Sequence, residues 1–273
     1  MSPVLEAVKT SRVIAKWNAK DYHENSSIQF EAANNLLSKI CLNGHESILD
    51  IGCGDGKITA LISEHLPRGK ILGIDLSPEM IHFAQMKFPR SEYPNLAFYV
   101  EDGAKIDYHN EFDLVFSSFA LQWIVQSDFF MEKIKRTLKK NGKLVATMPL
   151  GISKELEEAS QEMINHPNWS EYFVDYSAPQ RFDSADKEYA KMLISSGFKI
   201  IHFKTISHIK KFDSREQFED YVFQWYPYIL YIPSDLKCLF FKEVIDKYLK
   251  LKPQSTSGQV SFEFPRIEII AKK

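Results

Sequence analysis

Three glycines at alternate positions follow a short apolar run in the stretch ILDIGCGDGKIT. With the acid that precedes them they form the repeat Asp50-x-Gly52-x-Gly54-x-Gly56. Glycine allows a positive φ and lets a ligand lie against the backbone without meeting a Cβ atom. A dinucleotide fingerprint would need its third glycine at the position of Lys57, and no P-loop lysine-serine pair follows. The spacing therefore predicts a ligand-binding turn whose main task is not to hold phosphates.

Acidic residues stand at the ends of the next two apolar runs. Asp75 ends the run that reads GID, and Asp102 ends the run that reads YVED. A carboxylate at a strand end can accept hydrogen bonds from both hydroxyls of a ribose. The second carboxylate, beside the small residues Gly103 and Ala104, can accept from an exocyclic amine. Taken with the glycine turn, the three signals describe a site for a nucleoside bound without phosphates.

These residues lie at the ends of predicted strands. Short apolar runs predict strands at residues 47–51, 70–75, 96–100, 113–117 and 143–148. Between them, Ser77 and Pro78 form one helix start, and Ser127 opens another helix that includes Leu138 and stops at Asn141-Gly142. Strands joined by helices form a parallel sheet covered on both faces. We therefore predict a doubly wound, Rossmann-like α/β fold whose ligand lies at the carboxyl edge of the sheet.

The C-terminal half departs from this alternation. Residues 151–196 predict a helix, an aromatic loop and a helix, and residues 198–206 predict a strand. Two helical pieces follow, with Trp225 in the aromatic stripe of the first and Leu239 in that of the second. The run 260–271 alternates and predicts a final antiparallel strand. Aromatic residues at helical spacing more often pack in a core than contact a ligand, but the sequence leaves both interpretations of these aromatic residues open.

This pattern indicates one domain, residues 1–273, with an inserted helical cap. Its parts are an N-terminal helical arm (1–44), a ligand-binding core (45–150) and cap elements (151–196 and 207–258).

Composition and charge exclude several classes of function. The chain has 273 residues and a formal net charge of −2, and no block of like charges gives it the basic surface that nucleic acids or anionic membranes attract. No apolar run is long enough for a membrane span, and the N-terminal stretch MSPVLEAVKTSRVIAKW carries charges, so we expect a cytoplasmic protein. The three cysteines form no CxxC pair and the histidines no HExxH motif, so no metal site is expected. Cys53 is interpreted as a residue that packs in the core.

Five stretches together resemble the successive motifs of class I S-adenosylmethionine-dependent methyltransferases. They are LDIGCGDGKIT, GIDLSPEMI, VEDGAKI, FDLVFSSFALQWI and LKKNGKLVATMP, and they cover residues 45–150. The resemblance implies S-adenosyl-L-methionine as cofactor, with its methionine part at the glycine turn, its ribose at Asp75 and its adenine amine at Asp102. The cofactor-binding residues expected on this basis are Asp50, Gly52, Gly54, Gly56, Asp75, Leu76, Met80, Asp102, Gly103, Ala104, Ser117 and Tyr22. Tyr22, like Trp17, would close over the methionine end or act as an aromatic staple.

Three further stretches are similar to the branch of that family that methylates small carboxylates. SSIQFEAANNLL, ALQW and NWSEYFVDYSAPQRF resemble trans-aconitate, malonyl-carrier-protein and juvenile hormone acid methyltransferases. This resemblance implies a small-molecule carboxylic acid as substrate, held by Gln29 and Trp123. Each residue has a structural alternative. Gln29 also fits a capping box, S-x-x-Q, that begins at Ser26, and Trp123 also fits core packing beneath the cap.

The predicted activity is formation of a methyl ester of a small or lipophilic organic acid. The fourth strand ends in SSFA, whereas amino-methylating DNA enzymes have a motif that resembles [DN]PP[YFW] at this place. A magnesium-dependent enzyme would need an acidic residue at position 117, and this sequence has a serine there. One alternative is methylation of a malonyl group that is bound to a carrier protein. Arg12, Lys16 and Lys20 would then form the patch at which the carrier protein docks. Others are a different small-molecule acceptor, or a protein that binds the cofactor without transferring its methyl group.

Overall fold

The computed structural model describes residues 19–124, 128–174, 176 and 185–273. The predictions for Arg12, Lys16, Trp17 and Ser127 lie outside these residues, as does most of the stretch that follows Tyr176 in the aromatic loop.

Seven strands form one sheet. They are β1 Ser47–Ile51, β2 Lys70–Asp75, β3 Leu96–Val100, β4 Phe112–Ser118, β5 Leu138–Pro149, β6 Lys199–Phe212 and β7 Val260–Lys272. The strand order is β3-β2-β1-β4-β5-β7-β6; the pairs among β1 to β5 are parallel, and β7 is antiparallel to both of its neighbours. The central strand β1 is buried along its whole length, as a parallel strand covered on both faces must be. The predicted doubly wound sheet with a final antiparallel strand is confirmed.

Nine α-helices surround the sheet in the described part of the chain. They are α1 Ala19–Asn25, α2 Ser27–Leu37, α3 Lys57–Glu64, α4 Pro78–Lys87, α5 Asp128–Thr137, α6 Lys154–Ile164, α7 Ala185–Ser195, α8 Arg215–Phe223 and α9 Lys237–Leu251. The predicted start of α4 is confirmed, because the Ser77 hydroxyl accepts from the Met80 N–H and Pro78 is the first helical residue. Among the described helices none is both long and apolar enough to cross a membrane.

Two predicted strands are longer than expected because of their partners. Leu138 begins β5 instead of ending a helix, since it is fully buried and pairs with Phe112. Asn141, with φ +66°, lies within β5 and does not stop α5, which ends at Thr137. Strand β6 continues to Phe212, where it still pairs with Val260 of β7. The second cap element therefore begins after this ribbon and not at residue 207.

Helices α6, α8 and α9, with the 3₁₀ turns Ser170–Phe173 and Pro227–Tyr231, form a layer that we call the cap. Its interior is aromatic: the rings of Phe218 and Tyr248 stack at 5.1 Å, and the Trp169 Nε1 donates to Glu243 Oε2 at 2.7 Å. Leu239, predicted for a buried stripe, is 51% exposed. Most cap aromatics therefore pack against one another, as the core interpretation predicted.

Candidate active site

The glycine turn joins β1 to α3, and all three of its glycines have a positive φ. A Cβ atom on Gly52 would lie 2.1 Å from the Cβ of Ala120. Gly56 is the N-cap of α3, with φ +77°, and a Cβ there would lie 2.6 Å from Cζ of Phe98 and 2.8 Å from Cβ of Ala84. The third glycine therefore stands where it does because α3 packs tightly against β3 and α4 at that point.

Gly54 has a different environment. Of the described residues, a Cβ atom on it would meet only Tyr22 of α1, with Cε1 at 3.7 Å, and its N–H donates to Asp75 Oδ2 at 2.9 Å. There is therefore space beside the backbone of Gly54, between the glycine turn and α1. This is the surface against which a ligand can lie.

Asp75 is held at the tip of β2 by two backbone hydrogen bonds. Its Oδ2 accepts from Gly54 and its Oδ1 from the N–H of Ser77, each at 2.9 Å. Burial raises the pKa of this carboxyl, and the hydrogen bonds oppose that rise. Each carboxylate oxygen keeps a second lone pair, so the group can still accept from a diol.

Asp102 marks the tip of β3 and also caps the 3₁₀ turn Gly103–Lys105. Its Oδ1 accepts from the Ala104 N–H at 2.9 Å, and Lys105 Nζ lies 3.5 Å from its Oδ2. Met80, buried on α4, and the half-buried Leu76 follow the neighbouring strand β2. The register of the parallel strands therefore brings the predicted residues to one edge of the sheet.

Asp50 lies beneath the glycine turn and is almost fully buried. Its Oδ2 accepts from the hydroxyl of Thr59 at 2.7 Å. Burial raises the pKa of Asp50 to about 7, against the effect of this hydrogen bond, and the negative charges of Asp75 and Asp55 add to the rise. Asp50 therefore changes its charge near neutral pH.

A small cavity of about 20 Å³, roughly the room for one water molecule, lies between α1, α2 and the glycine turn. It is lined by Tyr22, Ser26, Gln29, Phe30, Asp50, Gly52, Cys53, Gly54, Asp55, Lys57, Ile58, Phe116 and Ser118. Burial raises the pKa of the Tyr22 hydroxyl, and the charges of Asp55 and Asp75 raise it further. Tyr22 on α1 thus forms one wall of the cavity, next to Gly54.

The residues that hold α1 in this position carried no signal in the sequence. The His23 Nδ1 lies 2.7 Å from Asp55 Oδ2, and the His23 ring lies 5.3 Å from that of Phe83 on α4. A histidine and an aspartate 32 positions apart form no motif, and only the fold brings them together.

Cys53 packs as predicted. It is buried, a Cβ atom on Gly73 would lie 3.0 Å from its Sγ, and burial raises the pKa of the thiol well above its usual range. Such a thiol is not an activated nucleophile.

The structure excludes one of the two interpretations of Gln29, and its role in acceptor binding stays a prediction. The Ser26 side chain makes no capping hydrogen bond with α2, and the Gln29 Oε1 is buried without a partner among the described residues. The capping box is therefore not formed. Gln29 instead lines the cavity beside the glycine turn, close enough to the Tyr221 hydroxyl to influence its pKa.

Ser117 does not line the cavity. Its hydroxyl is fully buried and donates to the backbone oxygen of Ile51 at 2.7 Å, within the sheet. Side chains alternate along a strand, so the next residue, Ser118, faces the cavity, and its Oγ is buried with no hydrogen-bond partner in the described part of the chain. Ser118, and not Ser117, therefore lines the cavity.

Trp123 lies at the surface, so the core-packing interpretation is wrong, and its role in acceptor binding stays a prediction. It ends the 3₁₀ turn Leu121–Trp123, where Leu121 is buried and Trp123 is 57% exposed, and it does not line the cavity. Phe119, just before this turn, has φ +54° and packs its ring 6.4 Å from that of Phe264 beneath the cap. A bulky residue in this region is strained, and such strain is typical of functional sites.

Comparisons with known proteins assign this arrangement to a family. The sequence profile of the family described as "Methyltransferase domain" matches residues 42–213. The chain is 30% identical over 201 residues to an uncharacterized methyltransferase of Schizosaccharomyces pombe, a match that covers 70% of this chain and 74% of that protein. The chain is a class I S-adenosylmethionine-dependent methyltransferase.

Two further comparisons extend over nearly the whole methyltransferase. The chain is 25% identical over 262 residues to trans-aconitate 2-methyltransferase of Escherichia coli K12, covering 95% of this chain and 99% of that one. Its fold matches that of Haemonchus contortus phosphoethanolamine N-methyltransferase 2 in complex with S-adenosyl-L-methionine, with a TM-score of 0.56 and 16% identity. That match covers 100% of this chain and 60% of the other and concerns the fold alone.

The residues at the edge of β1 to β3 fit S-adenosylmethionine. Asp75 offers lone pairs to a ribose, Gly54 offers backbone without a Cβ, and Met80 offers apolar surface beside them. Asp50 would hold the ammonium group of the methionine part. Within the described ranges, no group of three or more histidine, cysteine, aspartate or glutamate side chains could hold a metal ion.

We expect the affinity of the methyltransferase for S-adenosylhomocysteine to rise about tenfold from pH 6 to pH 8, because Asp50, with its pKa of about 7, ionises in this interval. An ionised Asp50 attracts the ligand's ammonium group, whereas the protonated acid does not. Titration calorimetry across this range measures the change. The rise should shrink in Asp50→Asn and persist in the control Asp107→Asn, which changes an exposed acid. A pH profile that is flat in the unmodified protein would contradict this role.

Proposed function

We propose that this methyltransferase transfers a methyl group to the carboxylate of a small or lipophilic organic acid and so forms a methyl ester. The observation that carries the proposal is Gln29, an amide that the fold places in the cavity beside the glycine turn and that caps no helix. Ser118, whose hydroxyl also has no partner among the described residues, lies at the end of β4 in the same cavity. The similarity to trans-aconitate 2-methyltransferase, whose name states a carboxylic acid substrate, supports this assignment.

A carboxylate acceptor suits the chemistry that these residues can perform. A carboxylic acid has a pKa near ~4, so at neutral pH it is already the nucleophile and needs no base. The cofactor, when bound, supplies a methyl group on a sulfonium that is already activated. The residues of the chain need only align the acceptor oxygen and exclude water, a positioning effect that can supply about 7–11 kcal/mol. Opposite charges cancel during the transfer, so a dry site favours the transition state.

Label transfer from methyl-labelled S-adenosylmethionine to a panel of carboxylic acids tests the proposal. The panel should contain aliphatic and aromatic monocarboxylic acids, trans-aconitate and a malonyl-loaded carrier protein. An ester releases its label in mild alkali, whereas N-methyl and C-methyl products retain it. An alkali-stable product would overturn the ester assignment and leave the methyltransferase assignment intact. If label appears only on the carrier protein, the substrate is the malonyl group on that protein and not a free acid.

We expect Gln29→Glu to lower kcat/KM for the acid about ten- to a hundredfold, because it places a negative charge against the acceptor carboxylate. The affinity for S-adenosylhomocysteine should change much less. Steady-state label transfer and titration calorimetry measure the two quantities. Gln254→Glu is the matched control, since it makes the same charge change at an exposed glutamine of a surface turn. Equal kcat/KM in the two variants would exclude Gln29 from acceptor binding.

A further inference from the structure

Three side chains that can donate hydrogen bonds meet beside the cavity. Tyr221 on α8 is buried, and both the Gln29 amide and the Trp225 indole are close enough to its hydroxyl to counteract part of the pKa rise that burial causes. The rings of Tyr221 and Trp225 lie 6.0 Å apart. Despite this proximity, the Trp225 Nε1 and the Gln29 Oε1 are both buried without a hydrogen-bond partner of good geometry among the residues that the structure describes.

Unpartnered polar atoms are uncommon in the rest of the cap. The Trp169 Nε1 donates to Glu243 at 2.7 Å, the Tyr228 hydroxyl donates to Glu157 at 2.9 Å, and the Tyr248 hydroxyl donates to the Ser261 oxygen at 3.1 Å. A buried polar group without a partner costs free energy, so folded proteins leave few of them. An indole N–H can only donate. In the described part of the chain, the Trp225 Nε1 is near the Tyr221 hydroxyl but makes no hydrogen bond of good geometry, so a ligand can supply its acceptor.

The same cluster adjoins the cofactor end of the site. Tyr221 is near enough to Tyr22 for their hydroxyls to interact electrostatically, and Tyr22 covers Gly54 of the glycine turn. On the other side, the Lys210 Nζ lies 5.3 Å from the centre of the Tyr221 ring, where its charge favours an anion. Tyr221 thus brings a hydroxyl of the cap close to Tyr22 and the glycine turn.

Aromatic rings extend from this cluster beneath the cap. The Trp225 ring lies 5.9 Å from that of Phe262, the Phe262 ring stacks on Phe264 at 6.2 Å, and Phe119 follows at 6.4 Å from Phe264. Arg266, the next residue on this face of β7, donates to Glu268 through one terminal N–H at 3.3 Å, and its Nε has no hydrogen-bond partner among the described residues. The three phenylalanine rings themselves offer no donor to a second or third carboxylate.

We propose that Trp225 of the cap and Gln29 bind the acceptor's carboxylate while Tyr221 holds the Gln29 amide in position, and that the acceptor is a monocarboxylic acid whose apolar body lies along Phe262, Phe264 and Phe119. This inference rests on the proposed function. Rotation of the Gln29 amide would let its oxygen accept from Tyr221 while its NH₂ group and the Trp225 N–H donate to the carboxylate. The indole donor of the site then comes from the cap and not from Trp123.

Two conservative variants test these roles kinetically. Trp225→Phe and Tyr221→Phe keep an aromatic ring and remove one donor each, and each should raise the acceptor KM about ten- to a hundredfold with little change in S-adenosylhomocysteine affinity. Trp169→Phe and Tyr248→Phe are matched controls in the same cap, because they remove donors that already have partners inside the protein. The controls should lower the melting temperature and leave the acceptor KM unchanged.

A binding measurement decides the question without turnover. The chain has four tryptophans, so ¹⁵N-labelled protein has four indole signals, which single Trp→Phe variants assign. Benzoate, titrated to 50 mM into the protein saturated with S-adenosylhomocysteine, should shift the Trp225 signal and leave that of Trp169 in place. Benzamide, which has the same ring without the carboxylate, should produce a smaller shift, and trans-aconitate should compete weakly.

The outcomes separate this inference from the proposed function. Ester formation with unaltered KM in Trp225→Phe and Tyr221→Phe would overturn the inference and leave the carboxylate assignment standing. A benzoate titration that leaves the Trp225 signal unmoved would also overturn it. Alkali-stable products would overturn the proposed function and, with it, this inference. Preferred methylation of trans-aconitate over monocarboxylic acids would overturn the proposed substrate class.

Discussion

Asp75→Ala is expected to weaken the binding of S-adenosylhomocysteine about ten- to a hundredfold. The substitution removes charge-assisted hydrogen bonds to the ribose, which contribute roughly 1.5–3 kcal/mol. It also removes the acceptor of the Gly54 N–H, the bond of 2.9 Å that links β2 to the glycine turn. Both losses act at the cofactor site, so we expect one of the largest effects on affinity of any single substitution in this protein.

Titration calorimetry measures this loss of affinity, and Asp107→Ala is its control. Asp107 is an exposed aspartate paired with Arg136, so its removal changes the net charge equally without touching the site. Unchanged affinity in Asp75→Ala, or binding of NAD in place of the cofactor, would contradict the assignment of the ribose to this residue.

Gly56→Ala is expected to lower the free energy of unfolding by about 2–5 kcal/mol. About 1–2 kcal/mol arises because the residue must keep a left-handed φ of +77°. A further 1–3 kcal/mol arises because the new Cβ meets Phe98 and Ala84 at less than 3 Å, in a core that is already packed. Helix α3 would have to shift from the sheet to relieve these contacts.

Gly258→Ala separates the two causes. Gly258 has φ +83°, and a Cβ there would have no heavy atom of the described residues within 4 Å, so this variant carries the backbone strain alone. We expect it to lose about 1–2 kcal/mol in urea-induced unfolding. Equal losses in the two variants would show that crowding against Phe98 and Ala84 is not what requires glycine at position 56.

The sequence predicted those parts of the fold and site whose signals are local. The glycine turn, the start of α4 at Ser77 and the acid at the tip of β2 each depend on residues a few positions apart, and the structure has the glycine turn, the helix start and the strand end there. The ends of β5 and β6 depend instead on distant partners. Leu138 pairs with Phe112 and Phe212 with Val260, so no short stretch contained the information.

The acceptor side of the site shows the same difference between local signals and contacts of distant residues. By itself, the sequence determined that an amide at Gln29 and a serine near the end of β4 were candidates, because residue type and strand position are local properties. Tertiary structure alone decided that Gln29 lines the cavity without capping α2, and that Ser118 faces the cavity in place of Ser117. It also left Trp123 exposed and brought Trp225 beside Tyr221 and Gln29. The physical reason is that the direction of a side chain and the pairing of a buried donor depend on how α2, β4 and the cap pack together, and that packing involves residues far apart in the chain.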